Sequence, residues 1–78
     1  MGTVKVHAEA GIARYLPGGR TDVEVDVSPG DLVSDVLARI GVPAGAVALI
    51  LVNDRVVSAE SALSPGDGLL LFPLVVGG

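Results

Sequence analysis

The chain has 78 residues, enough for one small domain, and half of them are hydrophobic although only Tyr15 and Phe72 are aromatic. It contains no Cys, which excludes disulfides and thiolate metal sites. Its net charge is −4, which argues against nucleic-acid binding. The longest apolar run, Ala46 to Val52, is too short to cross a bilayer and the first residues do not resemble a secretory signal. We therefore expect a cytoplasmic protein with no membrane partner.

Two segments near the start alternate apolar and polar residues, the pattern of half-buried strands. They are Thr3–Ala10 and Thr21–Val27, and the Gly-rich connection between them predicts a hairpin. Within that connection, Ile12 and Leu16 predict a short helical turn that the following Pro and Gly residues end. His7, the only His, falls on the exposed face of the first strand, so we expect no metal site.

One segment has the spacing of an amphipathic helix. Its apolar residues recur at i, i+3, i+4 and i+7 and predict a helix that packs on the sheet. Asp31 or Ser34 is expected to accept hydrogen bonds from amides of the first turn, and Gly41 to end the helix in a left-handed conformation. The stripe consists of Val33, Val36, Leu37 and Ile40.

The second half of the chain predicts three more strands separated by turns. Val47–Val52 is apolar on both faces, which is typical of a central strand. Asn53-Asp54 predicts a tight turn, and an irregular crossover with Leu63 as its anchor leads to a strong turn signal at Ser64–Gly68. The strands are Val47–Val52, Arg55–Val57 and Leu69–Phe72.

This order predicts an α+β fold, with a mixed sheet of four or five strands and one main helix packed across it. The predicted core takes the apolar stripe of the helix and the inward side chains of the strands. Its members are Val4, Val6, Val23, Val25, Val33, Val36, Leu37, Ile40, Leu49, Leu51 and Leu69.

No motif of a catalytic interior is present. The acids are dispersed and the single His has no nucleophile near it in sequence, so a paired-carboxylate or triad enzyme is not indicated. The chain ends in Gly77 and Gly78, after an almost continuous apolar run from Leu69 to Val76. Because diglycine has no side chains, it can thread a narrow channel and present its carboxylate inside another protein.

The whole chain from residue 3 to 78 resembles the β-grasp sulfur carriers (MoaD/ThiS-like), a ubiquitin-like family that includes the small subunit of molybdopterin synthase and the thiamine-pathway carrier. Phe72 and Pro73 resemble the tail of the molybdopterin synthase subunit more than that of the thiamine carriers. The stretches that carry the resemblance are Val4–Val6, Asp35–Gly41, Val52–Val57, Pro65–Pro73 and Gly77-Gly78. The resemblance implies a β-grasp domain at residues 1–73 and a flexible diglycine tail at residues 74–78.

The resemblance also implies a protein co-substrate rather than an enzyme. In such carriers an E1-like adenylyltransferase uses ATP and magnesium to adenylate the C-terminal glycine, and a sulfur donor protein converts the adenylate to a thiocarboxylate. Carried over to this sequence, Gly78 is the reactive residue and Gly77 threads behind it, with no cofactor or metal bound by the chain itself. The thiocarboxylate then donates sulfur in cofactor biosynthesis, foremost that of molybdopterin.

The partner that receives the sulfur would be the large subunit of molybdopterin synthase or another sulfur acceptor enzyme. The apolar end of the last strand should bind partners and, with the adjoining sheet face, form an exposed patch; the alternative for Phe72 is that it completes the core. The sequence leaves three alternative functions open. They are a ubiquitin-like modifier conjugated through Gly78, a sulfur carrier for the thiamine, cysteine or tungsten-cofactor pathway, and a simple interaction domain. The predicted contact residues are Phe72, Pro73, Leu74, Val75 and Val76.

Overall fold

The first two strands place alternate side chains on a buried and an exposed face. The computed structural model of the protein describes residues 2–73, and the predicted tail at residues 74–78 lies outside them. Strands β1 (Gly2–Ala8) and β2 (Asp22–Val27) pair antiparallel, with Val4 opposite Val25. The predicted hairpin is confirmed, and the apolar residues of both strands face the core.

The connection between β1 and β2 contains a short helix α1 (Ala10–Ala13) and a 3-10 turn (Pro17–Gly19). Ile12 and Leu16 are buried, as their spacing predicts, so this connection closes one end of the core.

The main helix α2 (Val33–Ile40) buries Val33, Val36 and Leu37, while Ile40 packs partly buried against the core. Gly41 ends the helix with a φ of 79° and a ψ of 21°, the left-handed conformation that its position predicts.

The predicted cap of α2 is wrong. Instead of Asp31 or Ser34, the carboxylate of Asp35 accepts a hydrogen bond of 2.9 Å from the backbone N–H of Leu32. The Asp31 carboxylate accepts from the N–H of Ser28 and so stabilises the preceding turn.

Two amides of the first turn of α2 are satisfied by the crossover that precedes the last strand. The N–H of Val33 donates to the carbonyl of Ser61 at 2.9 Å, and the N–H of Ser34 donates to the carbonyl of Ala59 at 2.8 Å. Leu63 is 3% exposed, which confirms it as the anchor of the crossover. Backbone carbonyls therefore take the place that a capping side chain would fill.

The remaining strands complete a sheet with the order β2-β1-β5-β3-β4. Strands β3 (Val47–Val52) and β4 (Arg55–Val57) form a hairpin, and β5 (Gly68–Pro73) lies parallel to β1 and antiparallel to β3. The predicted mixed sheet with one main helix is confirmed. None of the helices within residues 2–73 is long and apolar enough to cross a membrane.

Most of the predicted core is buried, but two members lie on the other face of the sheet. Ile50 is 9% exposed and pairs with the fully buried Leu71, whereas Leu49 is 39% exposed and Leu51 is half-buried outside the core cluster. The prediction was wrong here because every residue of β3 is apolar, and its sequence does not reveal which alternate set faces inward.

Candidate interaction face

Strand β5 divides its side chains between the core and the face of the sheet opposite α2. Leu69 is 2% exposed and Leu71 is fully buried, while Leu70 and Phe72 are half-buried and lie outside the core cluster. Since successive side chains of a strand point to opposite faces, Leu70 and Phe72 lie on the outer face. The alternative in which Phe72 completes the core is therefore wrong.

The neighbouring strands extend this apolar surface. Leu49 lies opposite Phe72, and Leu51 lies opposite both Leu70 and Val56 in the two strand pairs. Val56 is 67% exposed. We call this surface the outer apolar patch, and its members are Leu49, Leu51, Val56, Leu70 and Phe72. A contiguous apolar surface of this kind on a small protein is typical of a binding site.

Pro73, the last described residue of β5, lies beside this patch. Between the pairs Val47–Pro73 and Leu49–Phe72 the register shifts, so β3 has one extra residue, Ala48. A bulge increases the local twist and redirects the neighbouring side chains. This bulge lies opposite Phe72 and Pro73, the last described residues of β5.

Helix α1 supports the same end of β5 from the other side. A Cβ added at Gly11 would lie 3.1 Å from the Cβ of Pro73, so the proline ring packs closely on the start of α1. The backbone N–H of Glu9 also donates to the carbonyl of Leu71 at 3.1 Å. These contacts hold the last described residues of β5 against the start of α1.

The other half of the outer face is charged. The acids of β2 alternate with its inward Val residues, and His7 lies opposite Asp22 with its Nδ1 2.8 Å from a carboxylate oxygen. This hydrogen bond, with a second from the Thr21 hydroxyl, lowers the pKa of Asp22. The three exposed acids are Asp22, Glu24 and Asp26.

Among residues 2–73 no polar or charged side chain is buried, and no three His, Asp or Glu side chains come close enough to hold a metal ion. The predicted reactive residues Gly77 and Gly78 and the predicted contact residues Leu74 to Val76 lie outside the described residues. The structure thus describes Phe72 and Pro73 of the predicted site.

Four patch residues were not predicted as contacts: Leu49, Leu51, Val56 and Leu70. A signal for them was present, because β3 and β5 are apolar at consecutive positions while one helix can cover only one face of the sheet.

The sheet order, with the last strand β5 at its centre, and the single main helix on one face define a ubiquitin-like β-grasp protein. The ThiS family profile matches residues 10–78. The chain therefore belongs to the ThiS family, whose members are small carrier proteins and not themselves catalysts. A search of curated protein sequences finds no significant match.

Solved structures agree with this fold along nearly the whole chain. SAMP1 from Haloferax volcanii is 26% identical with a TM-score of 0.75, and the match covers 99% of this chain and 100% of that one. A Pyrococcus furiosus protein assigned as molybdopterin converting factor, subunit 1, is 27% identical with a TM-score of 0.75, covering 96% and 100%. Urm1 from Trypanosoma brucei, at 15% identity and a TM-score of 0.71 over 99% and 96%, shows the likeness of fold alone.

Proposed function

We propose that this protein is a sulfur carrier whose C-terminal Gly78 is adenylated, converted to a thiocarboxylate and used to donate sulfur in the biosynthesis of molybdopterin. The observation that carries the proposal is the family match, which extends through the terminal diglycine to residue 78. The likeness to the Pyrococcus furiosus converting-factor subunit favours molybdopterin over the thiamine, cysteine and tungsten-cofactor pathways.

The outer apolar patch supports the proposal because it offers a surface that a partner protein could bind. A diglycine thread offers no side chains for affinity, so the domain must supply the binding energy elsewhere. The patch includes the last part of β5, where Leu49 lies opposite Phe72. Docking of the patch on a partner would therefore position the tail while leaving Gly77 and Gly78 free to enter a narrow channel.

Three successive partners follow from this chemistry. An E1-like adenylyltransferase supplies ATP and magnesium, joins AMP to the Gly78 carboxylate and releases pyrophosphate, after which a sulfur donor protein displaces the AMP. The large subunit of molybdopterin synthase, or another acceptor enzyme, then takes the sulfur. The chain itself holds neither nucleotide nor metal in this scheme.

A second candidate is a protein modifier joined to lysines through Gly78. The likeness to SAMP1 of Haloferax volcanii, at 26% identity, favours this second function. The full name of that protein is small archaeal modifier protein 1. Both functions need the same activated carboxylate and differ only in the nucleophile that accepts the acyl group.

The test is mass spectrometry of the intact protein after incubation with the activating enzyme of its own organism, ATP, magnesium and a sulfur donor. We expect a mass gain equal to the exchange of one oxygen for sulfur, located at Gly78. A variant without Gly77 and Gly78 should show no gain and should melt like the full chain, since terminal residues contribute few packed contacts. Sulfur incorporation into the truncated variant would refute the proposal.

A further inference from the structure

Beyond the proposed carrier role, we propose that Lys5 is an acceptor site for conjugation of the protein to itself. In this reaction the activated Gly78 of one copy forms an isopeptide bond with the Lys5 ε-amine of another. Lys5 is the only lysine in the sequence, the other four basic residues being arginines. The inference rests on the proposed activation of Gly78, because an unactivated carboxylate does not acylate an amine.

Lys5 lies in an open groove on the outer face of the sheet. The groove has a volume of about 680 Å³ and is bounded by β1, the start of β2, the start of β5 and the Asn53-Asp54 turn. Clefts of roughly 300–1,000 Å³ are of the size that holds a small ligand or a short peptide. The aliphatic side chain of Leu70 lines it beside the charged ones. An apolar tail such as Leu74-Val75-Val76 therefore finds apolar contacts next to the amine.

The ε-amine of Lys5 is not engaged by a described carboxylate. Its cross-strand neighbour is Glu24, yet no Asp or Glu oxygen within residues 2–73 lies within 4.0 Å of the Lys5 amine. The nearby Asp22 carboxylate is hydrogen-bonded to His7 and to Thr21 instead. Lys5 is thus exposed and available, whereas an amine held in an ion pair would first have to break it.

The topology makes the reaction one between two copies. Lys5 is in register with Gly68 at the start of β5, and Pro73, the last described residue of the strand, follows five residues later. At roughly 3.3 Å per residue, Pro73 lies about 17 Å from the Lys5 level, and five residues beyond it could span about the same distance if fully extended. A chain's own Gly78 could reach its Lys5 only by doubling back at full stretch.

Joining two copies through different groups also leaves one reactive group of each kind usable in the conjugate. The first copy keeps a free Lys5 and the second a free Gly78, so the contact is head-to-tail and does not close on itself. We therefore expect a ladder of linear multimers instead of a closed dimer.

The chemical step is an acyl transfer. The deprotonated ε-amine of Lys5 attacks the carbonyl carbon of the Gly78 acyl-adenylate, the C–N bond forms, and the bond from that carbon to the phosphate oxygen breaks. AMP leaves with the electron pair, and the proton lost from the amine goes to solvent. No oxidant or reductant is required.

The experiment incubates the protein with its activating enzyme, ATP and magnesium, without a sulfur donor, and follows pyrophosphate release alongside denaturing gel electrophoresis. We expect a ladder of adducts. Tryptic digestion should give one branched product, residues 1–14 uncut at Lys5 and carrying residues 56–78, because trypsin cuts after Arg14 and Arg55 but not after an acylated lysine.

Two variants decide the outcome. Lys5→Arg keeps the positive charge and should abolish the ladder while pyrophosphate release continues. Lys5→Arg combined with Arg55→Lys moves the only lysine ε-amine to β4, outside the groove, and should not restore the ladder. A ladder that persists in Lys5→Arg, an equal ladder in the double variant, or activation of the native protein without any adduct would overturn this inference. A lack of pyrophosphate release from the native protein would instead count against the proposed function as well.

Discussion

Adjacent residues of β5 provide a direct test of the two-faced strand. Leu71 is fully buried in the core and Phe72 is half-buried in the outer apolar patch. We predict that Leu71→Ala destabilises the fold strongly, whereas Phe72→Ala weakens partner binding more than folding. The two substitutions differ by one position in sequence, so the comparison isolates the face to which each side chain points.

The size of the effect follows from burial. Truncation of a fully buried Leu costs about 2–5 kcal/mol through lost transfer free energy and the cavity left behind. A domain of this length has a total stability of roughly 4–12 kcal/mol, so Leu71→Ala removes a large part of it. A loss of about 3 kcal/mol lowers the Tm by about 12–24 °C. Phe72 contributes mainly a cross-strand pair with Leu49, of about 1 kcal/mol or less.

Urea unfolding followed by far-ultraviolet circular dichroism measures both values, since the chain has no Trp to report by fluorescence. The slopes of the two variants should agree, so that the shift in midpoint reports stability. If Phe72→Ala were as destabilising as Leu71→Ala, the assignment of Phe72 to the outer face would be refuted.

Three further predictions concern the patch, a turn and an ion pair. Val56→Asp should weaken binding to the activating enzyme in a calorimetric titration yet change the unfolding free energy by only about 0.5 kcal/mol, while the charge-matched Ala38→Glu on the exposed side of α2 should bind normally. Asn53→Ala should cost about 1–3 kcal/mol in urea unfolding, because its side chain makes two hydrogen bonds of 2.9 Å to the turn before β5 and its φ is 51°; an unchanged midpoint would contradict this. The Arg39 guanidinium, 2.7 Å from the Asp31 carboxylate, holds the pKa of that carboxyl below its ordinary value. The ion pair therefore stabilises the fold at pH values above the ordinary pKa of Asp, and this contribution is lost as the pH falls through the lower, folded-state pKa. Asp31→Asn should therefore lose less stability than the native protein on acidification below about pH 4, and parallel acid-unfolding curves would count against the ion pair.

Local patterns were sufficient to predict most of the fold. The alternation in β1 and β2 and the apolar stripe of α2 each predict which face of an element is buried. The glycine after α2 predicts where the helix ends. The structure agrees with all three predictions. The prediction went wrong for β3, where the inward set is chosen by pairing with β5: Ile50 faces the buried Leu71, which puts Leu49 and Leu51 outside. Such a choice depends on a strand far away in sequence.

The capping of α2 was missed for the same reason. The carbonyls that accept from Val33 and Ser34 belong to Ser61 and Ala59, which lie 28 and 25 residues further along the chain. No sequence pattern near the helix predicts hydrogen-bond acceptors that lie so far away along the chain. The outer apolar patch was likewise predictable as a surface but not residue by residue, because its members come from three strands whose register is set by the completed sheet.

The parallel pairing of β1 with β5 has a mechanical consequence. The two strands lie side by side over Lys5–Ala8 and Gly68–Leu71, so a pull on the tail beyond β5, opposed at the start of β1, acts along the strands and not across them. Backbone hydrogen bonds loaded in this direction must give way together, whereas bonds loaded at one end of a hairpin open one after another. Resistance to such a pull is governed by the unfolding barrier and not by equilibrium stability. A partner that binds the C-terminal residues and pulls on them would therefore not peel β5 from the sheet, so the domain would hold the base of the proposed reactive tail firmly in place.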